Sequence, residues 1–303
     1  MRAIAAPEQK LSSTLVSLLR KFTRVCPILG IVVVLAIVFL ADARRPAAAQ
    51  GRLEAEYVAT LTGIPIGRGA WVIDISEDEF TAAANGGTAG LLRLFASGAG
   101  MGTTRGTIAA GRMVPLTYAA TVTTKDRIDD VRMAFAGGNV KDFTVEPPVG
   151  PNPDRVPIAD ADRRNVVDPM MSTMNYVAGS ADPLSPQSCI RKVPVFDGRL
   201  RYDLTTEFKR VETVKASKGY QGPVIVCAVY FTPVSGYLPN STTIKYLQSI
   251  RDAEAWMAPI AGTRVLVPFR FSLPTPVGIG ALQATQFLTV AKPPRAAANT
   301  KVQ

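Results

Sequence analysis

Apolar and polar side chains alternate with a period of two along successive segments of this 303-residue chain. The first such segment starts at Arg52, and its apolar face carries Leu53, Ala55, Tyr57, Ala59 and Leu61. Alternation of this kind is typical of a half-buried β-strand, because successive side chains of a strand point to opposite faces of the sheet. Its repetition along the chain favours an all-β fold.

Turn residues separate these segments. GIPIGRG at residues 63–69 predicts a hairpin between strands at 52–61 and 70–75, and a third strand is expected at 79–85. Further segments are rich in Thr, Val and aromatic residues, which favour strands. They lie at 103–110, 112–124, 128–136, 139–147, 199–204, 224–231, 253–260, 264–273 and 280–290.

Consecutive strands joined by short turns pair antiparallel, and a single sheet of about a dozen strands must curl or close to protect its edges. We therefore expect an all-β fold with two short helices. Its main feature is one large curled antiparallel sheet, barrel-like or spiral, with the helices packed in its concavity. Residues 50–290 form a single domain in this prediction, and 291–303 form a disordered tail.

The first helix is predicted at residues 88–98, where four large apolar side chains recur at helical spacing. Thr88 is its expected N-cap and Gly98 its expected stop. The glycine-rich GAGMG at 98–102 is therefore interpreted as a helix stop. A phosphate-binding loop would need a strand before the glycines and a helix after them.

A second helix is predicted within residues 166–179. Asp168 is its expected N-cap and Pro169 its first helical residue, a position that proline favours. Residues 147–165, which precede it, contain five prolines and predict a long loop. Loops of this length are usually functional or disordered.

The N-terminus has the features of an export signal. A basic lead-in of Lys10, Arg20, Lys21 and Arg24 precedes an uncharged run at 26–41, which is shorter than a bilayer-spanning helix requires and contains Pro27. Ala47 and Ala49 then supply the small-x-small pattern of a signal-peptidase site. Residues 1–49 are predicted to be a secretory signal peptide, inserted in the membrane transiently. The alternative is an uncleaved, permanent anchor in the inner membrane.

Removal of this leader lowers the net charge. The chain has 34 basic and 24 acidic residues, of which the leader holds seven and two, leaving 27 basic against 22 acidic. The remaining excess is spread along the chain, without a basic stripe interleaved with aromatic residues. Such a charge suits contact with anionic envelope surfaces and argues against nucleic acid. The expected partners are an envelope lipid or a periplasmic or outer-membrane protein.

Cysteine usage agrees with export. Because Cys26 lies in the leader, the mature chain keeps Cys189 and Cys227. An even pair in an oxidising compartment most simply forms one disulfide bond. The alternative is a pair of buried thiols.

The sequence contains no histidine, which removes Ser-His-Asp and Cys-His catalysis and most zinc sites. Acidic residues cluster in expected turns, at strand edges and in the long loop, where solvated charge is the usual explanation. We therefore assign no catalytic residue and expect no cofactor and no metal ion. Carboxylate pairs and serine-lysine chemistry are the routes that remain for an enzyme.

VFDGRLRYDL, at residues 195–204, holds the strongest candidate for a binding site. Asp197-Gly198 is a hairpin signal, since glycine tolerates the positive φ that such turns need. Arg199 and Arg201 lie on one face of the following strand, where they could form forked hydrogen bonds to a phosphate or carboxylate. Asp197, Arg199 and Arg201 are thus candidate anion or ligand contacts. The alternative is a turn aspartate with two solvent-facing arginines.

Several segments carry a family resemblance. After the GIPIGRG hairpin, Cys189 is followed in order by VFDGRLRYDL, GPVIVCAVYFTPVSGY, EAWMAPI and VPFRFSLPTPVG. This order resembles the secreted proteobacterial family catalogued as domain of unknown function 3108, over about residues 52–290. The resemblance implies an exported β-rich protein, similar in style to periplasmic proteins whose spiral sheets support envelope integrity. It implies a Cys189–Cys227 disulfide and no catalytic residues.

Together these observations predict a non-enzymatic periplasmic protein of the cell envelope. It is expected to bind a lipid-like or amphipathic component, or a protein partner, in the concavity of the curled sheet. The alternative is a carboxylate-dependent hydrolase acting on envelope glycans, which requires two acids facing each other across a cleft. A purely structural role without a ligand is a third hypothesis.

Overall fold

A computed structural model describes residues 50–89 and 98–292 of the chain. These residues form one 15-stranded sheet with two short α-helices. The first seven strands are β1 (Gly51–Leu61), β2 (Ile64–Ile75), β3 (Glu79–Thr88), β4 (Gly98–Ala109), β5 (Arg112–Thr124), β6 (Ile128–Ala136) and β7 (Asn139–Glu146). The others are β8 (Asn175–Tyr176), β9 (Arg191–Phe196), β10 (Arg201–Lys215), β11 (Lys218–Gly219), β12 (Gln221–Ser235), β13 (Glu254–Pro259), β14 (Val265–Thr275) and β15 (Gly278–Ala291).

The helices are short and lie in the second half of the chain. They are α1 (Pro169–Ser172) and α2 (Thr242–Ser249), with single 3-10 turns at Asp160–Arg163 and Pro186–Cys189. The rest of the segment between β7 and α1 has no regular structure, which confirms the predicted long loop.

The sheet is built almost entirely from antiparallel neighbours. Its strand order is β7-β6-β5-β4-β3-β2-β1-β15-β14-β13-β12-β10-β9, so the first and last long strands of the domain pair with each other. The two-residue strand β11 pairs parallel with β15, and β8 pairs with β14. One large curled antiparallel sheet was the predicted architecture, and the structure confirms it.

The curl brings the two edge strands, β7 and β9, towards each other. The Phe143 ring of β7 packs edge-on against the Phe196 ring of β9, with centroids 5.4 Å apart. Residues 166–167 lie between the two edges. They form backbone hydrogen bonds of the kind that edge strands leave unmade. The Val166 amide donates to Gly138 O at 2.8 Å, and the Phe196 amide donates to Val167 O at 3.0 Å.

The period-two pattern places one face of each strand in the core. In β1 and β2 the buried side chains alternate with partly or fully exposed ones, as the sequence predicts. Tyr57 is one of these core residues, and its hydroxyl donates to Pro268 O at 2.7 Å. A buried phenol needs such a partner, because an unpaired polar group in an apolar core is costly.

The predicted helix at 88–98 is wrong at both ends. Thr88 is the last residue of β3 and Gly98 the first of β4, so neither is a helix cap. The glycine-rich run at 98–102 is strand rather than a helix stop, because it continues the ladder with β3, where Gly86 pairs with Gly100. Residues 90–97 of this prediction lie outside the described residues.

The second predicted helix is confirmed as α1. Asp168 is its N-cap, and its Oδ1 accepts a hydrogen bond from the Met171 amide at 2.8 Å. The structure also contains α2, which the sequence reasoning missed. Its N-cap is Ser241, whose hydroxyl oxygen accepts from the Ile244 amide.

The last strand ends next to the predicted domain boundary at 290. Strand β15 runs to Ala291, and the Lys292 amide donates to Gln50 O at 2.9 Å. The rest of the predicted tail and the predicted signal peptide at 1–49 lie outside the described residues. None of the helices within 50–89 and 98–292 has the length and apolar character needed to cross a bilayer.

Candidate functional site

Asp197 lies in the turn that joins β9 to β10, as predicted. The turn spans four residues rather than two, since Phe196 pairs directly with Arg201. The Asp197 Oδ1 accepts hydrogen bonds from the amides of Arg199 (2.8 Å) and Leu200 (2.6 Å). Burial raises the pKa of this carboxyl, and the two amides oppose that rise. Asp197 therefore holds the turn together.

Arg199 lies within this turn and Arg201 begins β10, so the prediction that both arginines lie on one strand face is wrong. Each is bonded to a different carboxylate. Arg199 reaches Asp129 of β6 at 3.0 Å, and Arg201 lies 2.7 Å from Asp203 in its own strand. Asp203 lies in β10 and is only 5% exposed, so this charged face of the strand is not solvated at that point. A role for Asp197, Arg199 and Arg201 in binding an anion stays a prediction, and these internal contacts do not favour it.

Among the described residues, Asp168 is the most deeply buried carboxylate, with no exposed surface. Besides capping α1, it accepts a hydrogen bond from Thr104 Oγ1 at 2.8 Å. Burial raises its pKa to about 6, and these hydrogen bonds limit the rise. Every bond that it makes supports the local fold. Among residues 50–89 and 98–292, no group of three or more Cys, Asp or Glu side chains is placed to hold a metal ion.

The curled sheet lines a partly open cavity of about 550 Å³, which we call the apolar cavity. Its wall comes from β1, β2 and β3 on one side and from β10, β12, β14 and β15 on the other. The aromatic rings in this wall belong to Tyr57, Trp71 and Phe271. Arg68, which is exposed, is the single charged residue among the described residues that line it.

Small residues in two paired strands create this space. Gly69 of β2 lies opposite Gly86 of β3, and Arg68 lies opposite Gly87. Ala84 continues the inner face of β3, on which Phe80 and Ala82 are buried. Because glycine and alanine carry little or no side chain, the core ends here and the cavity begins. The glycines of GRG and NGG are the sequence feature that could have indicated this cavity. Only the pairing of β2 with β3 shows that they lie side by side.

A second cavity of about 100 Å³, the neck, shares part of this wall. Leu204, Val229 and Phe271 line both spaces. A third space of about 270 Å³, the polar cavity, shares Arg191 and two other residues with the neck. The neck therefore lies between an apolar and a more polar space.

The predicted disulfide between Cys189 and Cys227 is present, with the Cα atoms 5.5 Å apart. It ties the 3-10 turn Pro186–Cys189 to β12. Cys227 lines the neck, and Ser188, which precedes Cys189, lines both the neck and the polar cavity. The disulfide therefore fixes one wall of the two smaller spaces.

Comparisons with known proteins place the chain in a family. The chain is similar to the crystal structure of a beta-barrel-like protein of domain of unknown function DUF1849 from Brucella abortus. The two share 7% identity and a TM-score of 0.43, over 80% of this chain and 99% of that one. No curated protein matches the chain. A family model matches residues 56–285, and the chain therefore belongs to the family described as Protein of unknown function (DUF3108).

Proposed function

We propose that this chain is an exported, non-enzymatic protein of the cell envelope that binds one amphipathic molecule within its curled sheet. The observation that carries the proposal is the apolar cavity of about 550 Å³. Small-molecule sites are typically concave spaces of about 300–1,000 Å³, lined mainly by apolar and aromatic side chains with few polar groups. The apolar cavity has this size and this chemistry.

The packing of the core around the partly open cavity supports a binding site. Protein interiors are packed as densely as organic crystals and contain few voids larger than a water molecule. Here the strands on both sides of the space are long, and the core beside it is well filled, with Phe269 and Phe287 almost fully buried. A space of this size beside such a core is consistent with a site that an apolar chain fills.

Export is supported by the disulfide between Cys189 and Cys227. Structural disulfides persist in oxidising compartments such as the periplasm and are rare in the cytosol. A periplasmic location would give the protein access to envelope lipids. A protein partner in the concavity is the other occupant predicted from the sequence, and the binding test below separates the two.

The glycan hydrolase remains the alternative predicted from the sequence. It needs two carboxylates across a cleft. Among the described residues that line the apolar cavity there is no Asp or Glu. Asp168 is buried and Asp197 is partly buried, and both accept hydrogen bonds from backbone amides. The lining of the cavity therefore favours binding over hydrolysis.

Filling the apolar cavity should weaken binding. Ala84→Phe places a ring on the inner face of β3, inside the space, whereas Thr81→Phe adds the same ring to the exposed outer face of that strand. We expect Ala84→Phe to weaken binding of a fluorescent long-chain fatty acid by roughly tenfold or more, a loss of at least about 1.4 kcal/mol. Thr81→Phe should bind as the unaltered protein does.

Titration of the probe into each purified full-length protein measures this effect, and thermal unfolding checks that both variants fold. Equal binding by the Ala84→Phe variant and the unaltered protein would contradict the location of the site. Absence of binding by the unaltered protein would contradict the proposed function and would favour a protein partner or a structural role.

A further inference from the structure

Arg191, the first residue of β9, is a cation without an acidic partner. It lines both the neck and the polar cavity. No carboxylate of the described residues lies within ion-pair distance of it, and its one hydrogen bond is a long one, 3.5 Å, to Met174 O. Burial lowers the pKa of the guanidinium to about 10, so it is still charged at neutral pH.

Three other partly buried arginines differ from Arg191 in this respect, whereas Arg270 of β14 also lacks an ion pair with a described residue but lies over the Trp256 ring, 4.6 Å from its centroid. Arg199 pairs with Asp129, and Arg201 pairs with Asp203. Arg210 pairs with two glutamates. A charge removed from water is costly unless an opposite charge or several hydrogen bonds compensate it. Arg191 is partly buried, so it has part of this desolvation cost, and no ion pair with a described residue compensates that part.

A second polar group that lines the same two spaces as Arg191 also has no partner among the described residues. Ser188 is 6% exposed, and its hydroxyl makes no hydrogen bond with any described residue. Buried hydroxyls are normally bonded, so an unpaired one calls for an explanation, such as a ligand. Asn175, which is 5% exposed, lines the same two spaces and donates its Nδ2 to Ser188 O at 2.7 Å. This bond holds the Ser188 segment in place.

We propose that Arg191 and Ser188 bind the anionic head group of the amphiphile, whose apolar chain lies in the neck and the apolar cavity. The inference rests on the proposed function and specifies its ligand class: a single-chain amphiphile ending in a carboxylate or a phosphate. A guanidinium donates two parallel hydrogen bonds to either group, and a hydroxyl adds a third. The neck shares lining side chains with the polar cavity and with the apolar cavity. The proposed sites for the head group and for the apolar chain are therefore adjacent.

Three probes of equal chain length test this assignment: a long-chain fatty acid, the alkyl phosphate and the alkyl alcohol. The unaltered protein should bind one or both anionic probes roughly 10- to 100-fold more tightly than the alcohol, the range that hydrogen bonds to a charged group give. The ratio between the acid and the phosphate identifies the head group. Arg191→Gln should remove the preference for the anion and leave affinity for the alcohol unchanged.

Arg68→Gln is the matched control. Arg68 lines the apolar cavity, is exposed and makes no ion pair with a described residue, so it is the competing anion contact. The preference for the anion should persist in Arg68→Gln and in part in Arg191→Lys, which keeps the charge but loses the fork. Thermal unfolding verifies that each variant folds.

Two failures are distinguishable. If the alcohol binds as tightly as the acid and the phosphate, or if Arg68→Gln rather than Arg191→Gln removes the preference, the head-group site is wrong while the cavity proposal stands. If no probe binds to the unaltered protein, the proposed function and this inference are both overturned.

Discussion

Asp168 shows how one residue can support the fold at an electrostatic cost. Its carboxylate caps α1 and accepts a hydrogen bond from Thr104, yet it has no exposed surface. Its pKa is raised from 3.8 to about 6, so the folded protein holds this proton more tightly than the unfolded chain. The stability that this proton contributes is complete below about pH 4 and is lost as the pH rises through about 6.

Asp168→Asn should remove this pH dependence. The amide keeps an oxygen for the Met171 N–H and can donate its Nδ2 to Thr104, so both contacts survive without the charge. Between pH 4 and 7 the unfolding free energy of the unaltered protein should fall relative to the variant by on the order of 3 kcal/mol. Urea unfolding of both proteins at several pH values measures this difference.

The unaltered protein must be compared with Asp168→Asn at each pH, because the pKa values of other carboxylates are shifted in the opposite direction. The pKa of Glu254 is lowered to about 2, mainly by hydrogen bonding to Arg210. Its stabilising contribution is therefore lost at low pH, but equally in both proteins. A difference in stability that does not change with pH would show that burial does not raise the pKa of Asp168.

At the scale of elements, the disulfide fixes the 3-10 turn Pro186–Cys189 on β12. The Cys189 carbonyl also accepts a hydrogen bond from Thr206 of β10, so the turn is held by two strands. This turn carries Ser188 and precedes Arg191. The polar end of the proposed site is therefore positioned by an element with little regular structure of its own.

Replacing both cysteines should lower stability. The two cysteines are separated by 38 residues, and closing such a loop reduces the entropy of the unfolded chain. On that account Cys189→Ala/Cys227→Ala should lower the free energy of unfolding by about 4 kcal/mol. Chemical unfolding of the variant and of the unaltered protein measures the loss, and the reduced unaltered protein is the control. Equal stability of all three would mean that the 3-10 turn is held by its other contacts.

At the scale of the molecule, the strands were largely predictable and the cavity was not. The alternation in β1 and β2 appears directly in the burial of those strands. By contrast, α2 buries only Ile244. Its sequence therefore lacks the repeated apolar positions from which a helix is predicted. The glycines at 98–102 resemble a helix stop until pairing with β3 assigns them to a strand.

The candidate site depends on long-range placement. Trp71 and Phe271 line the same cavity although 200 residues separate them, and only the curl of the sheet brings β2 opposite β14. In the sequence, Arg191 does not differ from other basic strand residues, because only the fold shows that none of the carboxylates at 50–89 and 98–292 pairs with it. Asp197, Arg199 and Arg201 stood out in the sequence because of the turn, and it is the turn and its ion pairs that their contacts support.

Native mass spectrometry of the gently purified protein tests the central claim most directly. The account predicts a protein carrying one small amphiphile with an anionic head group, released on denaturation, and a ligand-free Ala84→Phe variant. Thr81→Phe should retain the ligand. A ligand-free mass for the unaltered protein, or the same bound molecule in Ala84→Phe, would contradict the claim that the cavity in the curled sheet is a binding site.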